Sequence, residues 1–249
     1  MTEGLMEKTA VITGSSRGIG KACALKLAEK GFNIVVNYNS NEEAANKTVE
    51  EITALGRKAV AVKADTSDLK QVQDMFRTAV KEMGGVDVLV NNAGVVNDAY
   101  LLMLNGDSLQ KSLDINIKGY FNCAQQAALK MMKNRSGSII NISSVSGIHA
   151  LVGQSVYSAT KGAVNSMTMV LAKELAPYGI QVNAVAPGFV ETEMINAVPE
   201  EKLKEYLDII PMKRFAKAEE IAETVSLLAD GSLSYVTGQV IVMDGGLSL

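Results

Sequence analysis

Apolar positions along the chain fall into two alternating kinds of segment. Short runs that are apolar almost throughout alternate with longer segments in which apolar positions recur every three or four residues. Runs of the first kind are typical of strands in a covered parallel sheet, and segments of the second kind of amphipathic helices. The predicted strands are Lys8–Thr13, Asn33–Asn37, Lys58–Lys63, Val86–Asn91, Ser138–Ser143, Gln181–Ala186 and Val240–Met243. The predicted helices are Ile19–Lys30, Glu42–Leu55, Leu69–Met83, Leu109–Lys133, Val156–Ala176 and Ala218–Leu228.

The regular alternation of strands and helices predicts the class of fold. It indicates an α/β protein with a Rossmann-like, doubly wound parallel sheet of about seven strands and helices on both faces. No Pro/Ser-rich linker and no shift in composition divides the chain, so residues 1–249 are expected to form a single domain. Only Phe189–Arg214 interrupts the alternation, and an irregular excursion is expected there.

Composition and charge narrow the range of partners. The chain is 47% hydrophobic and 20% charged, as in ordinary globular proteins, and its formal net charge is −3. No block of Lys or Arg stands out, so nucleic acid is not an expected partner. The apolar runs have the length of strands, and the first residues lack the pattern of a signal peptide. We therefore expect a cytoplasmic protein without a membrane partner.

Cysteine and histidine offer little for metal chemistry. Cys23 and Cys123 each lie within a helical pattern, far from any C-x-x-C pair, and are expected to be buried free thiols. His149 is the only histidine. No metal site is predicted.

A glycine-rich segment, Thr13–Gly20, directly follows the first predicted strand and opens the first predicted helix. Its glycines allow a tight turn and let the backbone approach a pyrophosphate at the positive end of the helix dipole. The three-residue gap between Gly14 and Gly18 differs from the G-x-G-x-x-G pattern, and three glycines can also form a plain strand-to-helix turn. The position between strand and helix favours phosphate binding.

The end of the second predicted strand bears on the choice of dinucleotide. It reads Val36-Asn37-Tyr38-Asn39-Ser40, and the first acidic residue is Glu42. NAD-selective folds place an acid at this strand end to bind the ribose hydroxyls. An uncharged strand end with Arg17 in the preceding loop accepts a 2′-phosphate, which favours NADPH/NADP+. The alternative is that Arg17 is only a surface residue.

Three motifs in order carry a family resemblance. They are T-G-x-x-x-G-x-G at Thr13–Gly20, N-N-A-G at Asn91–Gly94 and Y-x-x-x-K at Tyr157–Lys161. Across nearly its whole length the chain resembles the short-chain dehydrogenase/reductase family. More narrowly it is similar to 3-oxoacyl-(acyl-carrier-protein) reductases, in the segments Leu89–Val95, Asn141–Val145, Val185–Thr192 and Met243–Gly246. Acetoacetyl-CoA reductases and sugar or steroid dehydrogenases share much of this framework.

The resemblance implies NADPH-dependent reduction of a 3-oxoacyl thioester to a 3-hydroxyacyl thioester in fatty acid or polyketide-type synthesis. It implies that Ser144 hydrogen-bonds the substrate oxygen and that Tyr157 donates the proton. It also implies that Lys161 lowers the pKa of this tyrosine and binds the nicotinamide ribose, and that Asn116 holds a proton-relay water. The implied cofactor-binding residues are Gly14, Ser16, Arg17, Gly18, Ile19, Gly20, Tyr38, Asn39, Ser40, Asp65, Thr66, Asn92, Ala93, Gly94, Tyr157, Lys161, Pro187, Gly188, Val190 and Thr192.

A carrier-protein substrate is acidic, so its docking face is expected to be basic. The candidates are Lys130, Lys133, Arg135 and Lys173. Arg135 matches a docking position of the resembling reductases, whereas Tyr178 stands where those enzymes can carry a basic residue. The alternative for each of these charges is plain solvated surface.

The remaining expectations concern the acyl chain and the assembly. Leu101–Leu104 and Met194-Ile195 are candidates for an apolar acyl channel, with core or subunit packing as the alternative. The excursion at 189–214 is expected to act as a lid that excludes water. The resemblance also implies a homotetramer.

Two other functions stay open on sequence alone. One is another alcohol or ketone oxidoreductase of the same framework, acting on acetoacetyl-CoA, a sugar or a steroid. The other is a non-catalytic nucleotide-binding regulator, since a fold does not determine a function. The complete set of Ser144, Tyr157, Lys161 and Asn116 favours an enzyme.

Overall fold

Short apolar runs form the strands of this computed structural model, which describes residues 8–192 and 200–249. The strands are β1 Thr9–Ile12, β2 Asn33–Tyr38, β3 Ala59–Lys63, β4 Val88–Asn91, β5 Gly137–Ile142, β6 Ile180–Pro187, β7 Val190–Glu191, β8 Ala216–Lys217 and β9 Val240–Met243. Seven of them form one sheet in the order β3-β2-β1-β4-β5-β6-β9, with every pairing parallel. The predicted α/β class and strand number are confirmed.

Helices cover both faces of this sheet. They are α1 Gly18–Glu29, α2 Glu42–Ala54, α3 Leu69–Met83, α4 Gly106–Leu113, α5 Gly119–Asn134, α6 Ser155–Leu175, α7 Glu200–Ile209 and α8 Ala218–Ala229. Successive strand residues point to opposite faces, so Ala10 and Ile12 pack with α1, α2 and α8 while Val11 packs with α3, α5 and α6. This two-sided burial explains why the strands are apolar almost throughout.

The strand order reverses between β1 and β4, which are neighbours in the sheet. Chains leaving the carboxyl ends of these strands turn to opposite sides and leave a crevice between them, where α/β proteins bind ligands. The loops after β1 and β4 contain the glycine-rich and N-N-A-G motifs. The topology therefore places both motifs at one edge of the sheet.

The prediction of one continuous helix over Leu109–Lys133 is wrong in the middle of that range. The helical segment begins earlier, at Gly106, and a stretch of π-helix at Asp114–Lys118 separates α4 from α5. Apolar spacing cannot reveal this change, because it depends on contacts that Asn116 makes outside its own helix. Such π segments often occur at functional sites.

The excursion Phe189–Arg214 is also more regular than predicted. It contains the short strand β7, which pairs with β8, and the helix α7. The ring of Phe189 stacks on Tyr206 at 4.4 Å between centroids and lies 6.0 Å from Phe215, so an apolar cluster holds α7 in place. Leu203, Tyr206 and Leu207 at helical spacing were the overlooked signal. Met194 and Ile195 lie outside the described residues.

Candidate active site

The predicted site residues gather at the carboxyl edge of the sheet. Gly14 follows β1, Asn92 follows β4, Ser144 follows β5 and Gly188 follows β6. Thr192, which directly follows β7, reaches the same place, since its Cγ2 lies 3.6 Å from where a Cβ at position 18 would stand. Segments far apart in sequence thus converge on one crevice.

The glycine-rich loop is shaped for close approach of an anion. Gly14 has φ +61° and Gly18 has φ +54°, a region that favours glycine. A Cβ at Gly20 would stand 2.5 Å from both the Asn92 Nδ2 and the Gly14 carbonyl oxygen. At the start of α1, Arg17 makes no side-chain capping bond. The first amides of α1 are therefore left to an anionic ligand, and the loop fits a dinucleotide pyrophosphate.

Side chains from two strands hold this loop in shape. The Thr13 hydroxyl accepts hydrogen bonds from the backbone N–H groups of Asn92 at 2.9 Å and Ala93 at 3.0 Å. The Asn92 Nδ2 donates to the carbonyls of Thr13 and Gly14 at 2.9 and 3.1 Å. Asn37 accepts from the Gly14 N–H at 3.1 Å. The side chain of Asn92, predicted to line the cofactor, is thus used to brace the loop beneath it.

The ends of β2 and β3 form one end of the crevice, where the adenosine of a dinucleotide is expected. Tyr38 is buried and hydrogen-bonds with Glu42, while Asn39 and Ser40 are exposed. Asp65 and Thr66 directly follow β3, where the Asp65 carboxylate accepts from Ser67. No carboxylate occupies the end of β2 itself, as the sequence indicated.

Tyr157 and Lys161 lie one turn apart on α6, with the lysine buried at 3% exposure. The Lys161 Nζ is 5.6 Å from the centre of the Tyr157 ring. It donates to the Ile142 carbonyl at 2.7 Å and to the Tyr120 hydroxyl at 3.2 Å. The Tyr120 hydroxyl in turn donates to the Ile142 carbonyl at 2.8 Å. The end of β5 and a second tyrosine thereby hold the ammonium group.

Burial dominates the acid–base behaviour of this pair. It raises the pKa of Tyr157 to about 12, although a hydrogen bond with Ser144 acts to lower it, and the charge of Asp98 raises it further. Burial also lowers the pKa of Lys161 to about 7. Both shifts favour the neutral form. Since a neutral lysine cannot stabilise a phenolate, the expected lowering of the tyrosine pKa by Lys161 stays a prediction.

Ser144 caps a short 3-10 turn, Val145–Gly147, that follows β5. Its hydroxyl oxygen accepts from the Ser146 N–H at 3.1 Å, and the hydroxyl donates to the Ser146 Oγ at 3.2 Å. A hydrogen bond also joins Ser144 to Tyr157. Two of the predicted catalytic hydroxyls therefore meet in one place.

Asn116 lies in the π segment and is fully buried. Its Oδ1 accepts from the Val95 N–H at 2.8 Å, and its Nδ2 donates to the Val95 carbonyl at 2.9 Å and to the Thr160 Oγ1 at 3.2 Å. The amide thus joins the loop after β4 to α6. Binding of a relay water by this residue stays a prediction, and both protons of its Nδ2 are already used in these bonds.

The predicted docking residues lie away from this edge. Lys130 and Lys133 are near the end of α5 and Arg135 directly follows it, ahead of Gly137, the first residue of β5. Because β5 runs from that edge towards Ser144, its length separates these cations from the site. The Arg135 guanidinium donates to the Pro177 carbonyl at 2.6 Å, and Lys173 is exposed near the end of α6.

Sequence reasoning missed several residues of the site. They are Asp98, Tyr120, Ser146, Gln154 and Thr160. Each acts through a hydrogen bond to a residue distant in sequence or outside any motif, so no spacing marks it.

In the described ranges, no three His, Cys, Asp or Glu residues are grouped to hold a metal ion, and no helix is long and apolar enough to cross a membrane.

Comparisons with known proteins agree on the family. Residues 14–248 match the family model described as enoyl-(acyl carrier protein) reductase. The chain is 45% identical over 242 residues to the 3-oxoacyl-(acyl-carrier-protein) reductase FabG of Staphylococcus aureus, covering 97% of this chain and 98% of the relative. It is 42% identical over 240 residues to the protein of that name from Thermotoga maritima, covering 96% and 97%.

Solved structures add two similar proteins. An acetoin dehydrogenase from Enterobacter cloacae is 39% identical, with a TM-score of 0.89, over 98% of this chain and 96% of that one. A variant of a Serratia marcescens short-chain dehydrogenase/reductase is 35% identical, with a TM-score of 0.93, over 98% and 99%.

Proposed function

The chain belongs to the short-chain dehydrogenase/reductase family and is an oxidoreductase, and we propose that it reduces a 3-oxoacyl thioester on acyl carrier protein with NADPH. The product is the 3-hydroxyacyl thioester, and the role is in fatty acid synthesis. The observation that carries the proposal is the meeting of Ser144 and Tyr157 beside buried Lys161, at the same sheet edge as the anion-accepting loop. The substrate class is supported by the names of the relatives.

Hydride addition to a ketone leaves negative charge on its oxygen, which needs a proton and hydrogen-bond donors. NADPH supplies the hydride when bound. Tyr157 gives its phenolic proton to the oxygen as the charge develops. Ser144 donates a second hydrogen bond to that oxygen, a contribution of roughly 3 kcal/mol in comparable oxyanion sites.

Lys161 makes Tyr157 a stronger acid only when it carries its charge. A cation one helical turn away favours the phenolate and lowers the pKa from the value of about 12 that burial sets. A pKa of about 7 leaves Lys161 close to half charged at neutral pH. A small gain in stabilisation of the ammonium group, such as two ribose hydroxyls would provide, therefore shifts the lysine to its active form.

The crevice fits a dinucleotide with an anionic adenosine end. The amides of Ser16–Ile19 would hold the pyrophosphate. Exposed Arg17 lies in the loop whose Gly14 and Ser15 amides bond to Asn37, near the uncharged end of β2. A 2′-phosphate would meet a cation there, and Glu42 is partly occupied by the Tyr38 hydroxyl. This arrangement supports preference for NADPH over NADH.

The acyl chain and the carrier protein each need a binding surface near the crevice. Leu101, Leu102 and Met103 are exposed at 73%, 98% and 76%, and a backbone bond from Ala99 to Gly153 brings them beside the β5–α6 loop. We assign the acyl chain to this apolar segment, with 189–214 as the lid of a single domain. Since Lys133 and Arg135 lie at the far edge, docking through them requires a neighbouring subunit, as in the expected homotetramer. A cytoplasmic location stays a prediction.

A second function is favoured by one finding. The similarity to an acetoin dehydrogenase extends over 98% of this chain, so a small hydroxyketone is a rival substrate. The catalytic residues would have the same roles, but an acyl-binding surface would be unnecessary. Exposed Leu102 and Met103 favour the thioester.

The deciding experiment measures initial rates of NADPH oxidation with acetoacetyl thioesters of acyl carrier protein and of coenzyme A, repeated with NADH. We expect the highest kcat/KM with the carrier-protein thioester and NADPH. Tyr157→Phe should lose at least about a hundredfold in kcat, because it removes the proton donor, while the Kd for NADPH changes little.

The same assay discriminates the alternatives. Higher kcat/KM with acetoin, a sugar or a steroid would replace the proposed substrate. Binding of NADPH without turnover of any ketone would indicate a regulator. Near-normal rates in the Tyr157→Phe variant would remove the proposed proton donor.

A further inference from the structure

A chain of side-chain hydrogen bonds leads from Ser144 to the surface. Ser144 donates to the Ser146 Oγ at 3.2 Å, and the Ser146 hydroxyl donates to the Gln154 Oε1 at 2.8 Å. The Gln154 Nε2 then donates to the Asp98 carboxylate at 3.0 Å. Both serines are buried, at 8% and 5% exposure, and Asp98 is exposed. None of the three residues beyond Ser144 belongs to a motif of the sequence.

The carboxylate of Asp98, the outermost acceptor, determines the direction of every bond in this series of hydrogen bonds. An ionised carboxylate only accepts hydrogen bonds, so the NH2 group of Gln154 must face Asp98 and its carbonyl oxygen must face Ser146. Ser146 therefore gives its proton to Gln154, which leaves its oxygen as an acceptor for Ser144. The Ser144 oxygen accepts from the Ser146 N–H at 3.1 Å, and the Ser144 hydroxyl can turn from Ser146 to donate to the Tyr157 oxygen instead.

This series of hydrogen bonds also connects three separate segments of the polypeptide. Asp98 lies in the loop after β4, the serines lie in the turn after β5, and Gln154 directly precedes α6. The backbone bond from the Ala99 N–H to the Gly153 carbonyl, at 2.9 Å, runs beside the Asp98–Gln154 contact. The carboxylate and the amide are therefore held in register by the backbone as well as by their own bond.

We propose that Gln154 and Asp98 are positioning residues that orient the hydroxyl of Ser144 through Ser146, which rests on the proposed role of Ser144. The Ser144–Ser146 bond at 3.2 Å is long for two hydroxyls, whereas the Ser146–Gln154 bond at 2.8 Å has an ordinary length. The weak bond holds the Ser144 proton until a developing oxyanion competes for it. The Ser146 N–H also bonds to the Ser144 oxygen, so this bond depends on Gln154 holding Ser146 in place.

Asp98 has a second, separable effect on the site. Its negative charge raises the pKa of Tyr157, the same group that Lys161 from α6 would stabilise as a phenolate. Tyr120 of α5, a further titratable group in this region, is held by the Ile142 carbonyl and Lys161. Positioning and charge therefore need to be tested with different substitutions of Asp98.

The first test compares two Gln→Leu variants that each break a Gln–Asp hydrogen bond. Gln154→Leu is expected to lower kcat for ketone reduction about tenfold, with unchanged KM for NADPH and unchanged Tm. Gln110→Leu, which breaks an exposed bond to Asp114 at 3.1 Å outside the site, should leave kcat unchanged. Equal kcat in wild type and Gln154→Leu would overturn the proposal.

A double-mutant cycle asks whether Gln154 acts through Ser144. In the Ser144→Ala background, Gln154→Leu should cause no further loss of kcat, because the group it orients is gone. A tenfold loss in both backgrounds would mean that Gln154 acts elsewhere and would overturn the proposal.

Substitutions of Asp98 separate geometry from charge. Asp98→Asn keeps an acceptor for Gln154 and should retain most of kcat, while the pH profile of kcat shifts to lower pH because Tyr157 loses a neighbouring negative charge. Asp98→Ala removes the acceptor and should lower kcat as Gln154→Leu does. Equal kcat in wild type and Asp98→Ala would contradict the assignment.

Hydrogen exchange provides a readout that does not depend on turnover. The Ser146 amide, bonded to the Ser144 oxygen, should exchange faster in Gln154→Leu than in Gln110→Leu. Unchanged exchange overturns the positioning role even if the protein is inactive on every thioester. Inactivity on thioesters with altered exchange would contradict the proposed function alone.

Discussion

At the residue scale, burial and hydrogen bonding give the site residues properties that their identities alone do not. Lys161 is an ordinary lysine by sequence, yet burial lowers its pKa to about 7. Asn92 lies in a motif and Asn116 has a role implied by the family resemblance, yet their amides brace the loops after β1 and β4. The sequence predicted which residues meet at the site. Burial and the hydrogen-bond partners of each residue decide which role its side chain can have there.

The depressed pKa of Lys161 predicts a pH-dependent stability. Between the folded value of about 7 and the unfolded value of 10.5, the unfolded chain binds more protons than the folded one. Folding stability attributable to this residue therefore rises with pH in that window, by about 1 kcal/mol per pH unit. Tyr157 contributes only at more alkaline pH, since its pKa is raised.

Urea unfolding of Lys161→Met at about pH 7 and about pH 9 checks this expectation. The free energy of unfolding of the variant minus that of wild type should be larger at about pH 7 than at about pH 9. The expected change in this difference is on the order of 2 kcal/mol. The Ile142 carbonyl keeps the Tyr120 hydroxyl as a donor in the variant. The exposed Lys173→Met on the same helix should show no such change, and parallel pH curves for Lys161→Met and wild type would contradict the predicted burial effect.

At the element scale, the start of α1 depends on the absence of a side chain at Gly20. The neighbouring atoms at 2.5 Å include a backbone carbonyl, which cannot move without displacing the loop. Without this steric conflict, replacing Gly20 by alanine would stabilise the helix by roughly 1 kcal/mol. The steric conflict outweighs that gain, because the conflict involves the loop that accepts the anion.

Gly20→Ala is therefore expected to raise the Kd for NADPH at least about tenfold and to lower Tm, as measured by fluorescence titration and thermal unfolding. Gly85→Ala is the matched control, since nothing lies within 4 Å of a Cβ there and its φ is not positive. An unchanged Kd in Gly20→Ala would show that the loop does not bind the pyrophosphate.

At the scale of the whole molecule, the adjacent helices α5 and α6 present apolar side chains to the outside. Phe121 and Leu129 are exposed at 48% and 57%, and Met169 and Val170 at 48% and 55%. Patches of this kind mark interaction surfaces. They support the proposed homotetramer.

Light scattering after size exclusion tests this assembly. Wild type should have four times the chain mass of 26.5 kDa, and Phe121→Glu should give a smaller species because it buries a charge in the interface. Leu55→Glu, at an exposed leucine directly after α2 and outside these helices, should keep the wild-type mass. A monomeric wild type would contradict the proposed tetramer.

The sequence by itself determined the α/β class, the positions of the main strands and helices, and the family motifs that converge on one sheet edge. Those features follow from local periodicity and from short motifs, which act over a few residues. Only the tertiary structure decided the π segment at Asn116, the helix α7, the pKa values of Tyr157 and Lys161, and the chain from Ser144 to Asp98. These depend on burial and on hydrogen bonds between distant segments, which become definite only when the sheet brings those segments together.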